Sequence, residues 1–496
     1  MQIKPIYGRN GYMNKQGTVT SEKVLVVIPD WGLAWYIYCL EHAVHMSKSG
    51  TEVSILDLSN LNPGIFKRKL WRWALNLSQK NRLSDIKQRV SRIHQINLID
   101  TTLPKQSRSS LTMSDERNKI FLSAIASKYS NITGRRNTKP EELNAKIVEL
   151  ERYFFMATVD LVVMLQNQFN FDEVFTVNGR YVVDSAVIVA CKETQINCRL
   201  MESASSIAGK YAVYRVSPHD IPSVSQMHID MWDKAGPGRE EIAERGLQRK
   251  LSGMDSPGID FRANFTKKFS RGHGFTSKKI AAFFPGTDRE FAIFPEFIFQ
   301  ESFGGSQAEA FLAFCKIAQE KEFRVVVRVH PVNSRDSKTS QDKFADLEDG
   351  IWRNLCGESG TEFIESRSQI NSYDLIEKAD LCVTYGSSIA IECILSKKPT
   401  LILGESEISH CVPEICAFNE GELKAKFTES IPIISKEALY PYGYWKEKSG
   451  SQLELFKFVS DREVYFDNKL VNEYKLWARG IVAWKNKLRR KFAKSL

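Results

Sequence analysis

Residues 383–404 read VTYGSSIAIECILSKKPTLILG, and this stretch decides the fold. A short apolar run ending at Thr384 leads into Gly386, Ser387 and Ser388. An apolar segment of helix length follows over 389–398, and Pro399 opens a second apolar run ending at Leu403. Strand, helix and strand in that succession form a crossover unit, and a crossover implies a parallel pair. The glycine and serines then stand at the carboxyl end of a strand, where open α/β sheets take their ligands. Two readings of the serines stand side by side. They cap the helix, or they hold an anion against its free N–H groups. Glu392, one turn further on, either faces a ligand hydroxyl or is a solvated acid.

Working outward, the same alternation recurs. KKIAAFF (278–284), FRVVVRV (323–329) and DLCVT (380–384) read as buried strands, and SQAEAFLAFCKIAQEK (306–321) as a helix between the first two. In the first half, KVLVVI (23–28), an apolar helix running to Gly50, and TEVSILDLS (51–59) form another unit. DEVFTV (172–177), YVVDSAVIVACKETQ (181–195) and NCRLMES (197–203) form a third. The fold class expected is α/β: two Rossmann-like domains facing a cleft, with C-terminal helices. The first domain is expected over 1–270 with a helical insertion at about 61–150, and the linker near 265–277. The second is expected over 277–430, and a C-terminal helical region with a basic tail over 431–496. His42 and His45 are expected on the surface of the first helix, and Glu348-Asp349-Gly350 in a polar loop.

The chain has 496 residues, a net charge of +10 and a pI near 9.0, which favours anionic partners. Its nine cysteines include no CxxC pair, so reduced thiols in a cytoplasmic protein are expected. The N-terminus has no apolar core of a signal peptide, and no apolar run reaches membrane-spanning length. No nucleic-acid signature occurs. Two basic, Trp-bearing segments, 66–83 and 472–496, suit either an anionic membrane surface or a solvated charged face.

Residues following the strands of the second half converge on one rim: Gly286 and Thr287, His330 and Pro331, then Tyr385 to Ser388. Proline after His330 favours extended geometry and fixes where the imidazole points. That histidine either meets a donor phosphate and helps the leaving group depart, or is a plain strand-end residue. Arg328, two residues earlier, lies on the same face. In the first half, Gly32 follows the first strand, where it either lets the backbone approach an acceptor or makes a plain turn. Arg180 follows a later strand, as a bidentate clamp or a surface turn residue. No Asp-x-Asp pair points to a metal, so no metal or cofactor is expected.

RVVVRVHP (324–331), followed further on by 372–404, resembles the C-terminal half of bacterial capsule and lipopolysaccharide glycosyltransferases of GT-B type. These include the capsule Kdo transferases and, at greater distance, bacterial sialyltransferases. The resemblance implies that His330, Pro331, Ser387 and Ser388 contact the phosphate and nucleotide of a CMP-activated sugar. It places Asp288 and Glu290, in FFPGTDREFA, at the acidic positions that open this half, and His330 with them among the catalytic residues. FTVNGR and its continuation to LMES are similar to the Asn-Gly-Arg segment of capsule proteins, which points to Asn178, Gly179, Arg180 and Glu202. The acidic-acidic-Gly motif of sialyltransferases is matched only by Glu348-Asp349-Gly350, on the wrong side of His330, so the catalytic base is left unassigned. The function expected is sugar transfer from a nucleotide donor to a surface polysaccharide or lipid-linked acceptor, by a cytoplasmic protein touching the anionic membrane face. The alternatives are a sugar-nucleotide epimerase, a polyol-phosphate transferase, or a non-catalytic basic protein that binds anionic membrane or nucleic acid.

Overall fold

Val24 to Ile28 are fully buried, and their side chains alternate between two cores. Val24, Val26 and Ile28 face one, and Leu25 and Val27 the other. A strand covered on both faces belongs to a parallel sheet sandwiched by helices. The computed structural model describes residues 22–29, 33–59, 83–99, 113–133, 140–204, 209–251, 279–286, 302–330, 341–460 and 463–471.

The first sheet contains β1 (Lys23–Ile28), β2 (Glu52–Asp57), β3 (Asn97–Ile99), β4 (Glu173–Val177), β5 (Asn197–Ser203) and β6 (Lys210–Tyr214). Its order is β3-β2-β1-β4-β5-β6, extended at the β6 edge by β12 (Ser451–Gln452). β1 to β5 are parallel; β6 pairs antiparallel with β5, and β12 pairs antiparallel with β6. Helix α1 (Leu33–Lys48) lies on one face. The opposite face is covered by α3 (Asp115–Thr133), α4 (Ala145–Phe169) and α5 (Val182–Glu193), while helix α2 spans 83–94.

In the second sheet, β7 (Ile280–Phe284), β8 (Arg324–Arg328), β9 (Glu362–Ile364), β10 (Leu381–Thr384) and β11 (Thr400–Ile402) take the order β9-β8-β7-β10-β11, all parallel. Both parallel cores thus run 3-2-1-4-5, the order of a doubly wound Rossmann unit. The expected class, two Rossmann-like α/β units, is the one observed. Between the sheets in sequence stand α6 (Ile221–Asp233) and α7 (Arg239–Leu251). The second sheet is flanked by α8 (Gln307–Glu320), α9 (Gln341–Ser359), α10 (Ser372–Lys378), α11 (Ile389–Leu395) and α12 (Glu420–Glu429).

Three expectations are corrected. The helical insertion also carries β3, which pairs with β2 and completes the sheet. Past α13 (Tyr440–Lys448), the C-terminal region is not helical over 451–470. There β12 joins the first sheet, and β13 (Phe456–Ser460), β14 (Glu463–Phe466) and β15 (Lys469–Leu470) form a small antiparallel sheet. Phe456, Val464 and Phe466 of that sheet pack into the core on which α1 lies. The third correction follows: α1 is covered on both sides, and Tyr36 to Val44 are all buried, His42 included. The His42 ring lies 4.4 Å from that of Phe175, and Nδ1 lies 3.3 Å from the Tyr211 hydroxyl. Burial pushes its pKa down to about 3, so it is neutral. Glu41 is buried as well, and its carboxylate accepts the N–H groups of Glu454 (3.1 Å), Leu455 (2.7 Å) and Phe456 (2.9 Å). The expected linker at 265–277, the segment 61–82 and the tail from 472 lie outside the described residues.

Helix α13 carries the chain from the second unit back to the first, and it lies across α7 with backbones touching. A Cβ on Gly246 would overlap the Gly443 carbonyl, and one on Gly443 would overlap the Ala243 carbonyl and sit 2.8 Å from Leu247 Cγ. Only glycine at both positions permits this approach. Gly443→Ala must push the helices apart, and a loss of about 2 kcal/mol of unfolding free energy is expected. A urea unfolding curve measures it, and an unchanged midpoint would show that the two helices separate at no cost.

Candidate functional site

The strand order of the second sheet reverses between β7 and β10, and the crevice for a ligand lies outside their carboxyl ends. β7 is followed there by Pro285 and Gly286, both buried. β10 is followed by Gly386, whose φ of 59° is the left-handed conformation that glycine takes without strain. Ser387 is partly exposed and Ser388 exposed. Ser388 occupies the N-cap position of α11 but has helical backbone angles, and its side chain makes no capping hydrogen bond. Its hydroxyl instead accepts from Lys250 Nζ at 3.4 Å.

Lys250 comes from the last turn of α7, between the two sheets in sequence, and sequence reasoning missed it. Its ammonium also lies 3.4 Å from Glu392 Oε1, with both side chains largely buried. Glu392 is therefore not a solvated acid. The end of α7 is fixed by the glycine crossing with α13 and by ion pairs of Arg249 with Glu447 (3.1 Å) and Lys436 with Glu244 (2.8 Å). Glu407, on the loop after β11, is held below the usual carboxylate range by Lys446, His228 and Lys250, against the burial that would raise it. Glycine backbone, two serine hydroxyls, one ammonium and one carboxylate thus meet beside the order reversal.

Other expected members of this rim are used elsewhere. Tyr385 is fully buried in the core with Phe283 and Phe311, its hydroxyl donating to the Ser302 carbonyl at 3.5 Å. Arg328 is 2 % exposed, and its guanidinium donates to the carbonyls of Glu365, Ser368 (3.2 Å) and Ile370 (3.3 Å). Burial lowers its pKa to about 10. It staples the chain that leaves β9 and is spent there rather than on a donor. His330 is partly exposed just beyond β8. Asp349 lies inside α9, not in a loop, and accepts the N–H (2.9 Å) and hydroxyl (2.8 Å) of Ser366. Gly32, Thr287, Asp288, Glu290 and Pro331 lie outside the described residues.

A second polar cluster forms at the carboxyl ends of β4 and β5. Asn178 follows β4 with φ 50°, and Gly179 with φ 77°. A Cβ on Gly179 would sit 2.8 Å from both Ile188 Cδ1 and Leu200 Cδ1, so the turn tolerates nothing larger. Asn178 Nδ2 donates to Glu202 Oε2 at 2.5 Å. Arg180 is 7 % exposed and therefore not a surface turn residue: Nε donates to Ser127 Oγ at 2.8 Å, and its backbone N–H to Asp184 Oδ2 at 2.9 Å. Burial pushes Asp184 and Glu202 up to about 7 each. Burial, and then Arg180, pushes nearby His219 down to about 3. Ser127, Asp184 and His219 were not singled out from the sequence. Of these only Asp184 carried a local signal, an acid in the first turn of a helix.

No family model and no curated protein sequence matches the chain. Among solved structures, it is similar to a KpsC β-Kdo 2,4-transferase from Thermosulfurimonas dismutans, with 13% identity over 55% of this chain and 80% of that one, at a TM-score of 0.35. A putative UDP-N-acetylglucosamine 2-epimerase from Listeria monocytogenes matches at 12% identity over 88% and 93%, with a TM-score of 0.22. A glycosyltransferase from Rickettsia africae matches at 11% identity over 86% and 94%, with a TM-score of 0.26. At these scores the likenesses decide no reaction and no residue.

Arg328→Met removes the donor from three carbonyls and should cost about 2–3 kcal/mol of stability. Chemical denaturation measures the loss. Unchanged stability combined with weakened nucleotide binding would return Arg328 to the ligand site.

Proposed function

We propose that the chain transfers a sugar from a nucleotide sugar to a surface polysaccharide or lipid-linked acceptor. The donor binds at the rim of the second sheet, and the resemblance of the His-Pro and Ser-Ser segments favours a CMP-linked sugar. One observation carries the reading: Gly386, Ser387 and Ser388 stand at the order reversal with the Lys250 ammonium 3.4 Å from Ser388 Oγ. A phosphate is an acceptor-only dianion or monoanion, and hydroxyl and ammonium donors on an approachable glycine backbone match it. In the transfer, the bond from sugar to phosphate breaks and negative charge collects on the departing nucleotide. Donors already fixed in place stabilise that charge without reorganising. Lys250 and the serines supply such groups, His330 adds a hydrogen bond or a proton, and Glu392 accepts from a ribose hydroxyl. The overall charge of +10 draws such anions in.

Thermal shift with CMP, CDP and UDP tests this directly. At least one nucleotide is expected to raise the melting temperature, while cytidine and uridine do so far less, because the phosphate supplies the contact. Lys250→Met and Ser387→Ala should each weaken the best nucleotide about tenfold, the loss of one hydrogen bond to a charged group. His330→Ala should suppress transfer with little effect on folding. A chain that responds to none of the three nucleotides is not a nucleotide-sugar enzyme. One that binds a nucleotide but converts the sugar without passing it on is an epimerase.

A further inference from the structure

The proposed transfer has a site for the leaving group but no group to take the proton of the acceptor hydroxyl. We infer that Glu202 is that general base, and that Asn178 is the positioning residue that holds it. This assignment rests on the proposed transfer.

Four independent features coincide at Glu202. It sits at the carboxyl end of β5, one strand beyond the reversal of order between β1 and β4. Its exposure is intermediate, neither sealed in the core nor freely solvated. Both its oxygens are oriented: Oε2 accepts from Asn178 Nδ2 at 2.5 Å, and Oε1 from the Ser203 N–H at 3.0 Å. Asn178 is itself held in a sparsely populated backbone conformation, φ 50°, with its N–H on the Met201 carbonyl at 2.9 Å. Strain of that kind persists where the surroundings impose it, and it gathers at functional sites.

The pair is not a closed structural motif. Asn178 is 5 % exposed, and its Oδ1 finds no hydrogen-bond partner among the described residues; neither does Nε2 of His219, which lies near Arg180. A buried amide oxygen without a donor is costly, and a hydroxyl-rich ligand would supply one. The proton balance suits the task. Burial holds the Glu202 pKa near 7, so the carboxylate forms at neutral pH and is basic enough to accept a proton. In the step, the acceptor O–H bond breaks and its proton passes to Glu202. The oxygen's electron pair forms the bond to the anomeric carbon. The bond from that carbon to the phosphate oxygen breaks, and its pair leaves with the nucleotide.

The test measures nucleotide release from CMP-, CDP- and UDP-sugars by the full chain, with a lipid-linked glycan extract as acceptor, across pH 5 to 9. Glu202→Gln should lower kcat about 100-fold or more and leave the donor KM within about threefold. In the unaltered chain, kcat/KM should rise with pH and level off above about 7, as the base ionises. Asn178→Gly keeps the left-handed backbone and deletes the amide. Because that amide favours the ionised carboxylate, its loss should move the rising limb to higher pH, an effect a purely structural pair would not produce. If Glu202→Gln does not fold, the limb of Asn178→Gly decides alone. Glu202→Gln retaining more than a tenth of the activity, or a limb unmoved in Asn178→Gly, overturns the assignment while the proposed function stands. A chain that releases no nucleotide from any donor overturns both.

Discussion

The contact of Gly246 with Gly443 is the constraint on which the arrangement of the molecule depends. Two helices far apart in the chain, α7 and α13, meet there with no side chain between them. Such an approach fixes the relative position of the helices closely, because packed backbones cannot slide as side chains can. Two consequences follow. The end of α7 reaches the serine turn of the second sheet, which brings Lys250 to Ser388 and Glu392. The end of α13 also directs the chain to β12, which pairs with β6 and closes the edge of the first sheet.

The return of the chain is secured by Glu41. One carboxylate takes the three successive N–H groups of Glu454, Leu455 and Phe456, and it does so buried. Desolvation raises its pKa while those three bonds lower it, and desolvation is the larger cause. The contact orients the segment that lays Phe456 onto the α1 core. Buried ionic contacts often contribute more to which structure forms than to how stable it is. Lys250 and Glu392 form the second such contact, and it too joins segments far apart in sequence.

The apolar runs made the fold legible, and side-chain alternation in β1 and β7 explains why. Ile280, Ala282 and Phe284 face one core and Ala281 and Phe283 the other, so the strand must be covered on both sides wherever it lies. Glycine and serine after β10 were legible for the same reason, since the strand end is where a turn must come. What was not legible depended on remote partners. Lys250 is an ordinary basic residue on an amphipathic helix until Ser388, 138 positions away, is placed beside it. Tyr385 and Arg328 were misplaced because strand alternation states a face but not whether that face is crowded. Here the Tyr385 ring fills the core, and the Arg328 guanidinium finds three carbonyls of the chain leaving β9. His42 is expected on the surface because its covering residues, Phe175 and Tyr211, lie far along the chain, as do the partners of Glu41 at 454–456.

The two sheets share one topology, yet their rims differ in charge, and the difference matches the two halves of a transfer. A departing phosphate is anionic at every physiological pH, so its site needs a charge that does not titrate there. An ammonium beside hydroxyls, as at Lys250 and Ser388, meets that need. An acceptor hydroxyl must lose a proton only as it reacts, so its site needs a group that exchanges a proton near neutrality. Desolvation at the first rim has that effect: it raises Asp184 and Glu202 to about 7 and keeps His219 neutral. Arg180 stands at the first rim as well, but burial raises Glu202 by more than that cation lowers it. On the proposed reading, that asymmetry assigns the donor to the second sheet and the acceptor to the first.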